Sequence, residues 1–230
     1  MNQKNLLLLT LALAPVAALA HTGGTLRLGV SEIHVGMGAG ASANMPGLHL
    51  GVGGLYRGVG IQTGVSFAHG AGASLEVLNV RATANPTAVL SPYLSAGMID
   101  MASLDGATST TDYQVNSGGL ITPITTTTNL PPRGVTMGYG FAGLRARLDL
   151  NPRWQIAAHA GIGAGIGGST TDLPASAGGR SPFATDMGAA IRYRVTSHAV
   201  AALTYTREVI PVRGTTFRNA GVELSMARTF

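Results

Sequence analysis

Residues 154–166 run Trp-Gln-Ile-Ala-Ala-His-Ala-Gly-Ile-Gly-Ala-Gly-Ile. Trp154, Ile156, Ala158, Ala160, Ile162, Ala164 and Ile166 share one parity. Gln155, Ala157, His159, Gly161, Gly163 and Gly165 share the other. Strict alternation over this length is the mark of a β-strand with two unlike faces. The second face decides the fold. A half-exposed strand of a soluble sheet carries lysine and glutamate there, whereas this one carries glycine, alanine, one glutamine and one histidine.

The same pattern extends along the chain. Phe183, Met187, Ala189, Ile191, Tyr193 and Val195 share a face, as do Ala220, Val222, Leu224, Met226 and Phe230. Tight turns are expected at Arg57-Gly58, Asn85-Pro86, Asn151-Pro152 and Ser197-His198, where turn residues part apolar runs. Longer connections are expected at 41–46, 69–73, 105–133, 169–181 and 210–215. The two kinds alternate, which predicts ten strands, with eight as the alternative. The expected spans are 24–40, 47–56, 59–68, 74–84, 89–104, 134–150, 153–168, 182–196, 199–209 and 216–230. In two strands the apolar parity changes midway. Leu26, Leu28 and Val30 give way to Ile33, Val35 and Met37, and Met137, Tyr139 and Phe141 give way to Leu144, Ala146 and Leu148. A bulge in each strand, the second at Ala142-Gly143, is the expected cause.

Composition narrows the solvent. The chain has 230 residues, 45% hydrophobic and only 11% charged, with 33 glycines and no cysteine. Soluble domains carry about 25% charged residues. Without cysteine there is no disulfide scaffold, thiolate zinc site or iron–sulfur cluster. Lys4 is the one lysine, so every other basic residue is arginine, and these are scattered rather than clustered. A nucleic-acid surface would need a clustered basic face, and none is expected. Lys4, the apolar run 6–14 and Ala18-Leu19-Ala20 read as a secretory signal peptide over 1–20, with a mature domain over 21–230. For an exported, charge-poor, alternating chain the expected fold is an all-β, antiparallel up-and-down transmembrane barrel. Its apolar side chains face lipid, and its small and polar ones face a lumen. Tyr56, Trp154 and Tyr193 fall near strand ends on the short-turn side and suit an interfacial girdle.

The signal peptide, the hairpin series, Leu150 to Trp154 (LNPRW), Ser91 to Gly97 (SPYLSAG) and the terminal VELSMARTF resemble the small bacterial outer-membrane barrels of the OmpA-like and porin-like group. The resemblance implies an outer-membrane location. It also implies a last strand read by the barrel-assembly machinery, through Val222, Leu224, Met226 and Phe230. Arg228 departs from that pattern.

On the barrel reading, Arg27, Arg81, Arg145, Arg147, Arg192 and Arg194 point into the lumen toward the short-turn end. Glu76, Asp100, Asp186 and Glu223 are expected inside at mid-height or above. These groups make either a narrow, weakly anion-preferring pore or an ion-paired filling that suits an envelope-structural role. His34, His49 and His159 are expected inside too, but at spacings that suggest no metal site. No GxSxG or HExxH occurs. A lipid-modifying or protease-type barrel enzyme is the alternative, without an identifiable catalytic set, and no cofactor is expected. The Thr-rich stretch 105–133 could instead make the chain a surface adhesin. Arg207, Arg213 and Arg218 cluster near the opposite rim and are expected to bind lipopolysaccharide phosphates. The oligomeric state is left open.

Overall fold

A computed structural model describes residues 24–37, 41–70, 72–103, 107–115, 121–129, 134–171, 183–212 and 215–230. The expected signal peptide lies outside them. The strands are β1 (Thr25–Met37), β2 (Ala41–Tyr56), β3 (Val59–Gly70), β4 (Ala73–Ala84), β5 (Leu90–Ser103), β6 (Ala107–Val115), β7 (Ile121–Asn129), β8 (Gly134–Asp149), β9 (Trp154–Thr171), β10 (Ala184–Arg194), β11 (Ala199–Val212) and β12 (Thr215–Thr229). Ten of them close an antiparallel barrel in the order β1-β12-β11-β10-β9-β8-β5-β4-β3-β2. Closure by the β1–β12 pairing, from Thr25 opposite Thr229 to Met37 opposite Phe217, leaves the barrel no unpaired edge.

The remaining pair, β6–β7, is a separate hairpin inserted between β5 and β8. Residues 105–133 were expected to be a plain loop. Its Ile-Thr-Pro-Ile-Thr-Thr-Thr-Thr run is dense in β-branched residues, which favour extended backbone.

Tight connections mark one end of the barrel. Arg57 and Gly58 both take positive φ, 48° and 80°, as a two-residue hairpin turn between right-twisted strands requires. The opposite connections are shorter than expected. β2 starts at Ala41, β3 ends at Gly70 and β11 ends at Val212, which leaves only 38–40, 71–72 and 213–214 between the strands. The strands have grown at the expense of the loops.

That growth explains the parity changes. β1 pairs with both neighbours in unbroken register from Thr25 to Met37, so it contains no bulge. Arg27, Gly29, Ser31, Ile33, Val35 and Met37 all face inward. Leu26, Leu28, Val30, Glu32, His34 and Gly36 all face outward. β8 pairs in the same unbroken way with β5, and Val135, Met137, Tyr139, Phe141, Gly143, Arg145 and Arg147 share the inner face. No bulge sits at Ala142-Gly143. The one register shift lies higher, between Met137 and Gly138 against β9. What reverses along these strands is the solvent, not the side-chain direction.

Dimensions agree. A strand needs about 9–11 residues to cross a bilayer. β2 and β8 have 16 residues and β9 has 18. The surplus projects beyond the lipid at the end away from the tight turns. There the outside must be wet and the inside must supply its own dry core. The outward row Ile191–Leu203–Leu224–Val30–Leu48–Phe67 shows the passage. It continues along the hydrogen bonds into Glu76–Asp100–Thr136, because tilted strands carry a row upward as it goes round.

Candidate functional site

The lumen has two layers. The layer near the tight turns is polar and ion-paired. Arg27 Nη2 lies 2.7 Å from Glu223 Oε1, and the same guanidinium donates to Thr204 at 3.2 Å and Ser225 at 3.0 Å. Arg81 Nη2 donates to Asp186 Oδ2 at 2.8 Å across the barrel. Asp186 also accepts from the Tyr93 hydroxyl at 2.9 Å and pairs with His159 Nε2 at 3.1 Å. The Arg81 guanidinium stacks over the Tyr93 ring, 4.5 Å from its centroid. At the mouth, Arg147 donates twice to Asp149, at 3.2 and 3.0 Å, and Gln155 donates to the same carboxylate at 2.6 Å. Arg192 Nη1 donates to Gln155 Oε1 at 3.1 Å.

Above this lies an apolar layer. Ile33, Val35, Met45, Leu75, Val77, Ile99, Met101, Val135, Met137, Tyr139, Ile210 and Phe217 are buried against one another. They come from β1, β2, β4, β5, β8, β11 and β12, so they fill the cross-section rather than lining one wall. Glycines make room for the bulkiest of them. A Cβ on Gly97 would strike the Tyr139 ring, and one on Gly161 would strike the Tyr93 hydroxyl. The glycine-rich face of β9 therefore serves packing across the lumen.

All six expected lumen arginines face inward. Asp186 and Glu223 do too. Glu76 and Asp100 do not. They stand opposite each other on the outer face, where Asp100 accepts from Thr136 at 2.9 Å. His34 also faces out and meets Asn44 across the pair at 2.6 Å, while His49 and His159 face in. These corrections share the cause found for the parity changes, since an outward carboxylate is costly in lipid but not above it. Asp149, Tyr93 and Gln155 join the lumen network without having been singled out. Only the cross-barrel register brings Tyr93 to Asp186.

Arg207 and Arg218 face outward on neighbouring strands, next to the belt of Leu203, Tyr205, Val222 and Leu224. Arg213 lies outside the described residues. Glu208 turns inward and accepts from Asn219 Nδ2 at 3.2 Å, so it does not neutralise the two outward arginines. At the other end Trp154 and Tyr193 face outward in tilted contact with centroids 4.8 Å apart, and Arg57 lies over exposed Tyr56 at 5.3 Å. Val222, Leu224, Met226 and Phe230 are exposed along the outer face of β12, and the Arg228 guanidinium lies 5.4 Å from the Phe230 centroid.

A closed antiparallel barrel with an apolar outer belt, aromatic residues at one rim and a polar interior beneath that rim is a transmembrane β-barrel of the outer-membrane type. No protein-family model and no curated protein matches the chain. Among solved structures, the chain is similar to Neisserial surface protein A at 9% identity and a TM-score of 0.43, covering 90% of this chain and 97% of that one. It is similar to the toluene transporter TbuX of Ralstonia pickettii at 9% identity and 0.42, covering 91% and 90%. It is also similar to the translocator domain of the autotransporter NalP of Neisseria meningitidis at 12% identity and 0.41, covering 95% and 93%. Likenesses this distant carry no assignment of a task.

Proposed function

We propose that this chain is a bacterial outer-membrane barrel with a closed lumen and a non-enzymatic, envelope-structural role. In this reading its tight turns face the periplasm and its projecting half presents a surface outside the cell. The observation that carries the reading is the apolar layer. Ile99, Met45, Ile210 and Phe217 are fully buried across the lumen above the ion-paired layer. Ions would have to shed water to pass such a filling, which costs far more than thermal energy. The ion pairs are therefore a filling rather than a constriction. The test is single-channel recording in planar bilayers. The wild type should be silent, as should Arg145→Ala and Arg192→Ala. Steady conductance with anion preference, reduced by those substitutions, would restore the pore reading.

A second reading concerns the rim. Arg207 and Arg218 stand at the upper edge of the lipid belt, and neither is in an ion pair among the described residues. Arg213 belongs to the connection between their strands. A guanidinium stays charged and offers a planar fork to phosphate oxygens. These three residues would bind lipopolysaccharide phosphates. Added lipopolysaccharide should raise the melting temperature of the wild type more than that of the triple Arg→Gln variant. Equal shifts would remove the site. The same reading assigns the exposed face of Val222, Leu224 and Met226, with Phe230, to recognition by the assembly machinery.

A further inference from the structure

We propose that the arginine-lined cup at the tight-turn end is a binding site for a small multivalent phosphate-type anion that enters from the periplasm. The cup is blind, because the apolar layer closes it above. The orientation is that of the closed-barrel reading. The site itself rests on the charges and their partners.

Arg27, Arg81 and Arg147 each have a carboxylate at 3.0 Å or less, in Glu223, Asp186 and Asp149. Arg145, Arg192 and Arg194 have none among the described residues. Arg192 donates to the neutral amide of Gln155. Glu208, the other inward carboxylate among the described residues, stands opposite Asp186 at the floor of the cup, where it accepts from Asn219 and pairs with no arginine. Three guanidiniums therefore lack an ion-pair partner of their own among the described residues, with Arg194 reaching Asp149 only at longer range than Arg147 does.

Arg145 and Arg147 are two residues apart on the inner face of β8, and Arg192 and Arg194 are two apart on the inner face of β10. Between them β9 contributes His159, Ala157 and Gln155, and His159, opposite Arg145, is turned to Asp186. Nothing acidic separates the two pairs except Asp149 at the mouth. Arg192 lies within electrostatic reach of Arg145, Arg27 and Arg147. Folding thus holds like charges together in a partly dry space, an arrangement that an incoming anion would relieve.

Side-chain exposure is 55% at Asp149 in the mouth, between 22% and 28% at Arg147, Arg81 and Arg27, and 1% at Asp186. The mouth is wet and the floor is dry. A phosphate-type anion suits converging guanidinium forks, which donate in pairs to its oxygens. One monovalent anion would leave two charges uncompensated, so a multivalent anion fits better.

The test uses the folded barrel in zwitterionic detergent, with pyrophosphate as the probe, followed by calorimetry and by thermal shift. Pyrophosphate should bind the wild type and raise its melting temperature. Arg145→Gln with Arg192→Gln should weaken binding at least tenfold. Arg57→Gln with Arg153→Gln removes the same charge from the same end but outside the cup, and should bind like the wild type. Heat-modifiable gel migration checks that each variant has folded. If the double cup variant does not fold, Arg194→Gln at the exposed mouth must still weaken binding. No binding to the wild type overturns the proposal, as does equal weakening in both double variants. Stabilisation by phosphatidylglycerol in mixed micelles without stabilisation by pyrophosphate also overturns it, by moving the site to a lipid headgroup. A silent bilayer together with absent binding sinks the cup and leaves the closed lumen standing.

Discussion

Asp186 gathers three partners from three strands, Arg81 on β4, Tyr93 on β5 and His159 on β9, and has almost no contact with solvent. Alternation alone marked Asp186 as inward. Its partners were not legible, because they depend on which residues the closed barrel sets across from one another. Truncation to Asp186→Ala would strand the Arg81 charge and the Tyr93 hydroxyl. Removing one member of a buried pair costs about 3–5 kcal/mol. The lower end applies here, since a quarter of the Arg81 side chain remains in water. Equilibrium unfolding in urea should show that loss. Gly163 poses the opposite problem. A Cβ there would strike the Gly140 backbone carbonyl, which cannot swing aside as a side chain can. Gly163→Val should therefore destabilise the barrel by about 1–3 kcal/mol, the range for overpacking, and lower the temperature of its heat-modifiable gel shift. An unchanged transition would show that β8 and β9 part more easily than this packing implies.

At the scale of the element, the ten barrel strands and the four tight turns were legible because each side chain reports its own face. The parity changes in β1 and β8 were visible too, but their cause was not. A one-residue slip and a change of solvent leave the same trace in a sequence, and only the pairing separates them. Continuous register in both strands decides for the solvent. The placement of Glu76 and Asp100 failed for the same reason, since β4 also leaves the lipid midway. The chain has no native cysteine, which allows a clean test. With a membrane-impermeant maleimide added to intact cells, His34→Cys and Asp100→Cys should be labelled. Leu28→Cys and Leu50→Cys, lower on β1 and β2, should be protected. Protection of all four would put the upper half back in the bilayer. The β6–β7 hairpin makes a separate prediction. No described ladder joins it to the barrel, and β5 pairs directly with β8 from Leu90–Ala146 to Ala102–Gly134. Replacing 105–133 with a short Gly/Ser turn should leave the melting temperature unchanged.

The barrel is one continuous sheet in two solvents. Near the tight turns, apolar residues lie outside and charges inside. Beyond the belt the arrangement turns over, and the barrel packs like a soluble protein with Phe217 fully buried. The two halves should therefore answer truncation differently. Phe217→Ala would open space in a close-packed interior, where the loss of transfer energy and the cavity together cost about 3–5 kcal/mol. Leu203→Ala removes a belt side chain that is half exposed to lipid. Fluid chains close over the gap without a cavity, so only the transfer part remains, about 2 kcal/mol for the methylene groups lost. Reversible unfolding from phospholipid vesicles would compare the two. The larger cost at Phe217 should come without conductance in a planar bilayer, because Ile99, Met45 and Ile210 still fill the cross-section. Equal costs would mean that the upper lumen is not a core. A conducting Phe217→Ala variant would mean that one ring, rather than a packed layer, closes the barrel.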